Sequence, residues 1–198
     1  MPEALDKLIG SLGRLPGVGR RSAERMALAL LRDPGQTGAD LLASLQSALQ
    51  QLTPCRGCGN ITTRAQDPCA LCTDPRRDAA LLCVVEEPTD ILTMERAGVF
   101  RGRYHALMGR LSPMRGEGAR NLRVEQLVER VRREGIQEVV LALNTDVESD
   151  ATASYLHEVL ASLPVKVTRL ARGIPAGSGL AYTDAVTLAR AMENRQAW

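Results

Sequence analysis

Two short thiol pairs are the first chemistry the sequence offers. Cys55-Arg56-Gly57-Cys58 and Cys69-Ala70-Leu71-Cys72 are C-x2-C pairs separated by ten residues. Each pair can turn tightly enough to aim two sulfurs at one ion, and the loop between can bring them together as a tetrahedral four-thiolate site. Sulfur in all four positions leaves none for water, so Cys55, Cys58, Cys69 and Cys72 are expected to hold one structural Zn2+ per chain. An iron–sulfur cluster, a redox role and a pair of disulfides are the alternatives, the last disfavoured in a reducing cytosol. Gly57 and Gly59 relieve the backbone where amides approach the thiolates. The stretch 54–78 has few apolar side chains to hold its own shape, so a bound metal is expected to supply folding energy. Cys83, alone in the apolar run LLCVV, is expected to be a buried core thiol.

A second constellation suits phosphate. Leu15-Pro16-Gly17-Val18-Gly19 separates two helical runs; Pro16 ends the first, and Gly17 and Gly19 permit a tight turn. Such a turn leaves amides at the next helix start pointing outward, a nest for an anion. Arg20, Arg21 and Arg25 follow at once, and residues 10–35 carry five Arg against Glu24 and Asp33. Arginine at a helix N-terminus opposes the dipole, a placement that makes sense where an anion binds. Non-specific contact with a DNA backbone is the expectation, and a plain solvated basic turn is the alternative. No Asn or Gln is set on a recognition helix to read base edges.

The third is acidic. LLCVV runs into Glu86, with Glu87 beside it and Asp90 in the next turn, and EVVLAL ends in Asn144-Thr145-Asp146-Val147-Glu148-Ser149-Asp150. Ligands of parallel α/β sheets bind at the carboxyl ends of strands, so the two clusters could converge. Four readings stay open: catalysis, a weak non-catalytic Mg2+ site at Glu86, Asp146 and Glu148, a patch for a basic protein partner, and helix capping, for instance by Asp150. A cluster larger than one metal needs favours protein contact. Residues 138–158 hold five acids and no Lys or Arg, whereas 101–133 hold nine Arg against three Glu.

Short helices and strands must position these groups. Leu5, Leu8, Ile9 and Leu12 make one stripe, Ala23, Met26, Ala27, Leu30 and Leu31 a second, and Leu41, Leu42, Leu45, Ala48, Leu49 and Leu52 a third. Short amphipathic helices cannot bury such faces alone, so the three are expected to pack together. From 81 the pattern alternates: strands at 81–85, near 104–108, 138–143 and 165–170, helices at 89–97, about 123–134, 150–163 and 183–193. Apolar strands alternating with helices predict a mostly parallel sheet covered on both faces. The expected class is α+β multidomain: a helical module over 1–53, a four-cysteine finger over 54–78, an α/β domain over 79–175 and a C-terminal helical segment over 176–198 used in assembly.

Composition sets bounds. The 198 residues are 44% hydrophobic and 24% charged, which excludes a disordered or fibrous chain. No window approaches the roughly 18 apolar residues of a bilayer span, and the first residues make a poor secretory signal. No membrane role is expected, and the cytoplasm is the default. The formal charge is +2, and four thiolates with one Zn2+ bring it to about 0, so nucleic-acid binding must rest on where charge sits.

The LPGVG turn with its flanks, over 8–31, resembles the helix-hairpin-helix family. Residues 80–175 resemble the Toprim fold, in which a Glu after the first strand and a later D-x-D pair hold magnesium; Glu86 matches the Glu and Asp146 the second Asp, while Asn144 replaces the first. The order of the three motifs, with LPGVGRRSAERMA (15–27), VVEEPTDI (84–91), GRLSPMRGEG (109–118) and GIPAGSGLAYTDAVTLARAMENR (173–195), is similar over the whole chain to the bacterial recombination mediator family RecR. That resemblance implies a non-enzymatic DNA repair and recombination protein of the nucleoid. Its members work with RecO, in some pathways with RecF, to help RecA load on single-stranded DNA. They form ring-like homotetramers or dimers that clamp single-stranded or duplex DNA. Carried onto this chain, Gly17, Gly19, Arg20, Arg21 and Arg25 would meet DNA, the four cysteines zinc, and Glu86, Glu148 and Asp150 RecO. A Mg2+-dependent Toprim nuclease or primase-like enzyme is the alternative; Tyr104, Tyr155 and Tyr182 sit in no context for a topoisomerase nucleophile. Asp146, Ser149 and Ala181 depart from the residues usual in the family.

Overall fold

Alternating apolar residues in one strand decide how the larger part of the chain is built. In the computed structural model, which describes residues 1–112 and 118–195, β3 (Asp78–Val85) sends Leu82 and Val84 to one face and Cys83 and Val85 to the other, all four fully buried or nearly so. The motif at 109–118 therefore lies partly outside the described residues, as does the end of the chain. The chain forms two compact units, Met1–Thr53 and Pro54–Trp198.

In the first unit α1 (Glu3–Leu12) and α2 (Arg20–Arg32) are joined by the glycine turn. Ala23 and Ala27 have no exposed surface, and their small side chains let α2 close onto Ile9, with Leu5, Leu8, Leu12 and Val18 around them. Gly17 takes φ 76°, a left-handed conformation that L side chains resist. After a π-type turn at Pro34–Gly38, whose Thr37 amide donates to Asp33, comes α3 (Ala39–Gln51). The expected three-helix packing is corrected here: α3 has no buried residue, and Leu41, Leu42, Leu45 and Leu49 are 49–68% exposed. Leu28 and Leu31 of α2 are exposed too, so α2 and α3 do not bury one another. The alanine seam already closes α1 on α2, and the leucine stripe is left open.

β1 (Leu52–Pro54), at the boundary, forms a ribbon with β2 (Ile61–Thr63), followed by the single turn α4 (Ala70–Thr73) of the second unit. After β3 come α5 (Pro88–Ala97), β4 (Gly102–Ala106), α6 (Val124–Glu134), β5 (Glu138–Leu141), α7 (Val147–Leu160), β6 (Lys166–Arg169) and α8 (Ala185–Glu193). The sheet order is β4-β3-β5-β6, every pair parallel. Leu82 and Val84 meet Leu127 and Val131 of α6 and Leu156 and Leu160 of α7. Cys83 and Val85 meet Ile91 of α5, Tyr104 and Ala106 of β4, and Cys55, Cys58 and Cys69. The cysteine segment thus covers part of one sheet face, which a parallel sheet requires of something.

Most boundaries differ from the sequence expectation by one to three residues, with identifiable causes. The helix expected from 150 starts at Val147, because Asp146 caps it by accepting from the Ser149 amide at 2.9 Å. Asp150 is therefore not the cap but lies in the first turn. Glu87 and Asp90 form a capping box on α5, with the Glu87 amide donating to Asp90 at 2.8 Å. Gly135 ends α6 in a left-handed conformation at φ 65°.

Candidate metal centre, phosphate turn and acidic edge

The two C-x2-C turns place their sulfurs together. The Sγ atoms of Cys55, Cys58, Cys69 and Cys72 all lie within 4.8 Å of one another, with Cys58–Cys69 at 3.4 Å and Cys55–Cys72 at 3.9 Å. Four sulfurs about 2.3 Å from a tetrahedral Zn2+ stand roughly 3.8 Å apart, so the cage matches such an ion. Amides already point at the sulfurs: Asn60 donates to Cys58 at 3.4 Å and Cys69 to Cys55 at 3.2 Å. A Cβ at Gly57 would stand 3.1 Å from the Cys72 sulfur, which explains the glycine. Without an ion the thiols compete for protons. Contact with Cys58 and Cys72 pulls Cys69 down, contact with Cys69 pushes Cys58 up, and Cys58 and Cys69 push Cys72 up. A divalent cation would relieve that conflict by stabilising every thiolate. Among the described residues this is the one group of His, Cys, Asp or Glu side chains that converges in this way. Cys83 is a core thiol on β3, its pKa pushed up to about 12 by burial.

Two arginines of the α6 region reach the first turn of the cage. Arg123 Nη2 donates to the carbonyls of Arg56 at 3.0 Å and Gly57 at 3.5 Å, and Arg130 Nη1 to those of Gly57 at 3.4 Å and Tyr104. Burial lowers the pKa of Arg123, and the sulfurs of Cys58 and Cys55 push it back up.

The glycine turn presents what an anion needs. Gly19 caps α2 in an extended conformation with no side chain capping it, so the first amides of α2 are open. Arg20, Arg21 and Arg25 are exposed. Arg20 makes an exposed pair with Glu24 at 3.2 Å, while Arg21 and Arg25 form no ion pair among the described residues.

The acids behave differently. Beside β3 the sheet order reverses, since β4 lies on one side and β5 on the other, and there Glu86 meets Asn144. Glu86, 3% exposed, accepts from the Asn144 amide at 3.0 Å and from its Nδ2 at 2.7 Å. Arg110 lies among the remaining carboxylates, 2.6 Å from Asp146, 2.9 Å from Glu148 and 3.8 Å from Glu86. Ser112 also donates to Glu148. The structure therefore groups Glu86, Asp146 and Glu148, but around a guanidinium. Just before it, Met108 has φ 64°, the one positive φ outside glycine among the described residues. A cavity of about 430 Å³ here is lined by Glu86, Met108, Arg110 and Asn144 among others. Asp150 belongs to a separate node with Arg169 at 2.8 Å, Arg172, and Arg190 of α8 at 3.4 Å. Arg172 and then Arg169 hold its carboxyl well below the usual range. Arg190 also donates to the Thr145 carbonyl at 2.9 Å, tying α8 to the start of α7. Sequence reasoning missed Arg110, Arg123, Arg169, Arg172 and Arg190. Arg110 and Arg123 belong to the basic strip at 101–133, but nothing in the spacing of any of the five marks these partners.

Family models match three parts of the chain: the RecR helix-hairpin-helix over residues 5–49, the Toprim domain over 80–171 and the RecR C-terminal region over 173–196. A recombination protein RecR from Moorella thermoacetica is 50% identical over 194 residues, covering 98% of this chain and 96% of its own. The chain belongs to the RecR family. Recombination proteins RecR from Desulfatibacillum aliphaticivorans and Dehalococcoides mccartyi are 46% and 45% identical, each across 98% of this chain and 96% and 94% of their own lengths. RecR membership accounts for the helix-hairpin-helix module, the parallel Toprim sheet and the C-terminal region standing in one chain. No helix among the described residues is long and apolar enough to cross a membrane.

Proposed function

We propose that this chain is a non-enzymatic mediator of DNA repair and recombination that holds DNA through its phosphates, without reading sequence. The observation that carries this is the turn at Gly17 and Gly19, where open amides at the start of α2 sit beside Arg20, Arg21 and Arg25, all exposed. Arginine forks and helix-start amides both suit phosphate oxygens. DNA, single-stranded or duplex, is the ligand in this reading. The relatives' name as recombination proteins supports it.

The finer reading follows the family. The protein works with RecO, and where the pathway uses it RecF, to help RecA load on single-stranded DNA in the nucleoid. Of Glu86, Glu148 and Asp150, the residues assigned to RecO, Glu148 and Asp150 make the contact, while Glu86, buried and bonded to Asn144, holds the edge behind Glu148. Glu148 and Asp150 are partly exposed, and their intrachain arginines would have to be shared with or displaced by a basic partner. One Zn2+ in the cysteine cage is structural. Self-assembly into a ring-like homotetramer or a dimer is supported by the exposed leucines along α3, Leu41, Leu42, Leu45 and Leu49. A Mg2+-dependent enzyme would need Arg110 to leave the carboxylates it now neutralises.

Fluorescence anisotropy with a labelled single strand and its duplex, at several salt concentrations, tests the central reading. Changing Arg21→Ala and Arg25→Ala together should weaken both complexes and lower the log–log salt slope by about 0.7 to 0.9 for each phosphate no longer neutralised. Zinc content should be unchanged. Equal affinity and slope in the double variant would overturn the assignment.

A further inference from the structure

Arg123 is placed as no ordinary surface arginine would be. Its Nη2 donates to two carbonyls inside the Cys55–Cys58 turn, while its Nη1 is buried with no hydrogen-bond partner. That nitrogen fills the space beside Gly59, where a Cβ would stand 2.3 Å from it. Gly59, at φ 82°, is thus open both for the turn and for the guanidinium. Arg130, with a side chain only 5% exposed, donates to the Gly57 carbonyl and is itself held by Glu134 at 3.0 Å.

Charge gives this arrangement a purpose. Four thiolates around a divalent ion carry a net charge of −2, and three of these four cysteines are buried against the sheet. A buried dianion needs compensating charge or oriented donors. Guanidinium donation to the Arg56 and Gly57 carbonyls also fixes the two peptide groups that lie between Cys55 and Cys58.

We propose that Arg123, supported by Arg130, is the outer cation of the metal centre: it offsets part of the tetrathiolate charge and holds the Cys55–Cys58 turn closed, so that metal retention depends on α6 being seated. The proposal rests on the cysteine cage holding a divalent metal. Arg123 is a positioning residue, acting on the metal through the turn and not as a ligand. Outer-shell partners of metal ligands are commonly worth roughly 10- to 100-fold in affinity.

The test uses the full chain loaded with zinc and follows transfer of the ion to an excess of a colorimetric chelator. Wild type, Arg123→Gln, Arg123→Lys and Arg132→Gln, the last an exposed site on the same helix, are compared, each with its zinc content measured first. Arg123→Gln should release zinc roughly 10- to 100-fold faster than wild type. Arg123→Lys, which keeps the charge but not the fork, should fall between, and Arg132→Gln should match wild type. Release from Arg123→Gln and Arg123→Lys at the wild-type rate would overturn the proposal. If Arg123→Gln does not fold, Arg123→Lys decides alone by the same comparison. A wild-type protein that binds no zinc would instead overturn the underlying metal reading, and the two failures are told apart by the initial zinc content.

Discussion

His105 lies fully buried on β4, its Nε2 at 2.9 Å from the Arg123 carbonyl and its Nδ1 without a partner. Burial pulls its pKa down to about 3, against an unfolded value near 6.5. Between these values the unfolded chain holds a proton that the folded chain does not, so stability is full above about pH 6.5 and falls as pH drops toward 3. The expected slope is up to about 1.4 kcal/mol per pH unit from this one group. Denaturant unfolding at pH 7.5 and 5 should show the loss, and His105→Gln should flatten the difference. Arg110 invites a second test at this scale. Arg110→Ala leaves Glu86, Asp146 and Glu148 without their shared cation, so the melting temperature should drop. Added Mg2+ should then raise the melting temperature of the variant but not of wild type, as thermal scans with and without the ion will tell.

At the start of α7 one carboxylate does two jobs, since Asp146 caps the helix and pairs with Arg110. Asp146→Asn keeps an acceptor for the Ser149 amide, whereas Asp146→Ala removes it and should cost about 1 kcal/mol more. Chemical denaturation of the two variants side by side measures that difference. The sequence made the elements here readable but not their starting points. Asp146 and Asp150 are both acids before a helical run, and only tertiary contact with Arg169, Arg172 and Arg190 assigns Asp150 elsewhere. The cysteine cage was legible because its ligands are local pairs with fixed spacing. Its packing on Cys83, Tyr104 and Ala106 was not, because a segment so poor in apolar residues carries no sign that its sulfurs themselves serve as core. Likewise α1 and α2 were legible from their stripes, but the stripe of α3 specified a buried face without specifying what buries it.

For the whole molecule that stripe has a measurable meaning. Leu45→Glu with Leu49→Glu puts charge on a face that is exposed in the single chain, so folding should survive. The proposed self-association should weaken at least about tenfold, equivalent to about 1.4 kcal/mol. Sedimentation over a range of protein concentrations checks both, and unchanged mass at every concentration would remove α3 from the interface. The cysteine cage carries a different consequence for the entire second unit. Because Cys55, Cys58 and Cys69 roof one side of the sheet, extracting the ion would do more than slacken a loop. It would bare the aromatic and aliphatic floor beneath, and the stripped protein should light up an apolar dye and precipitate. With zinc as the proposed occupant, starvation for that metal would reach this protein first as a solubility defect, before any loss of the proposed grip on DNA.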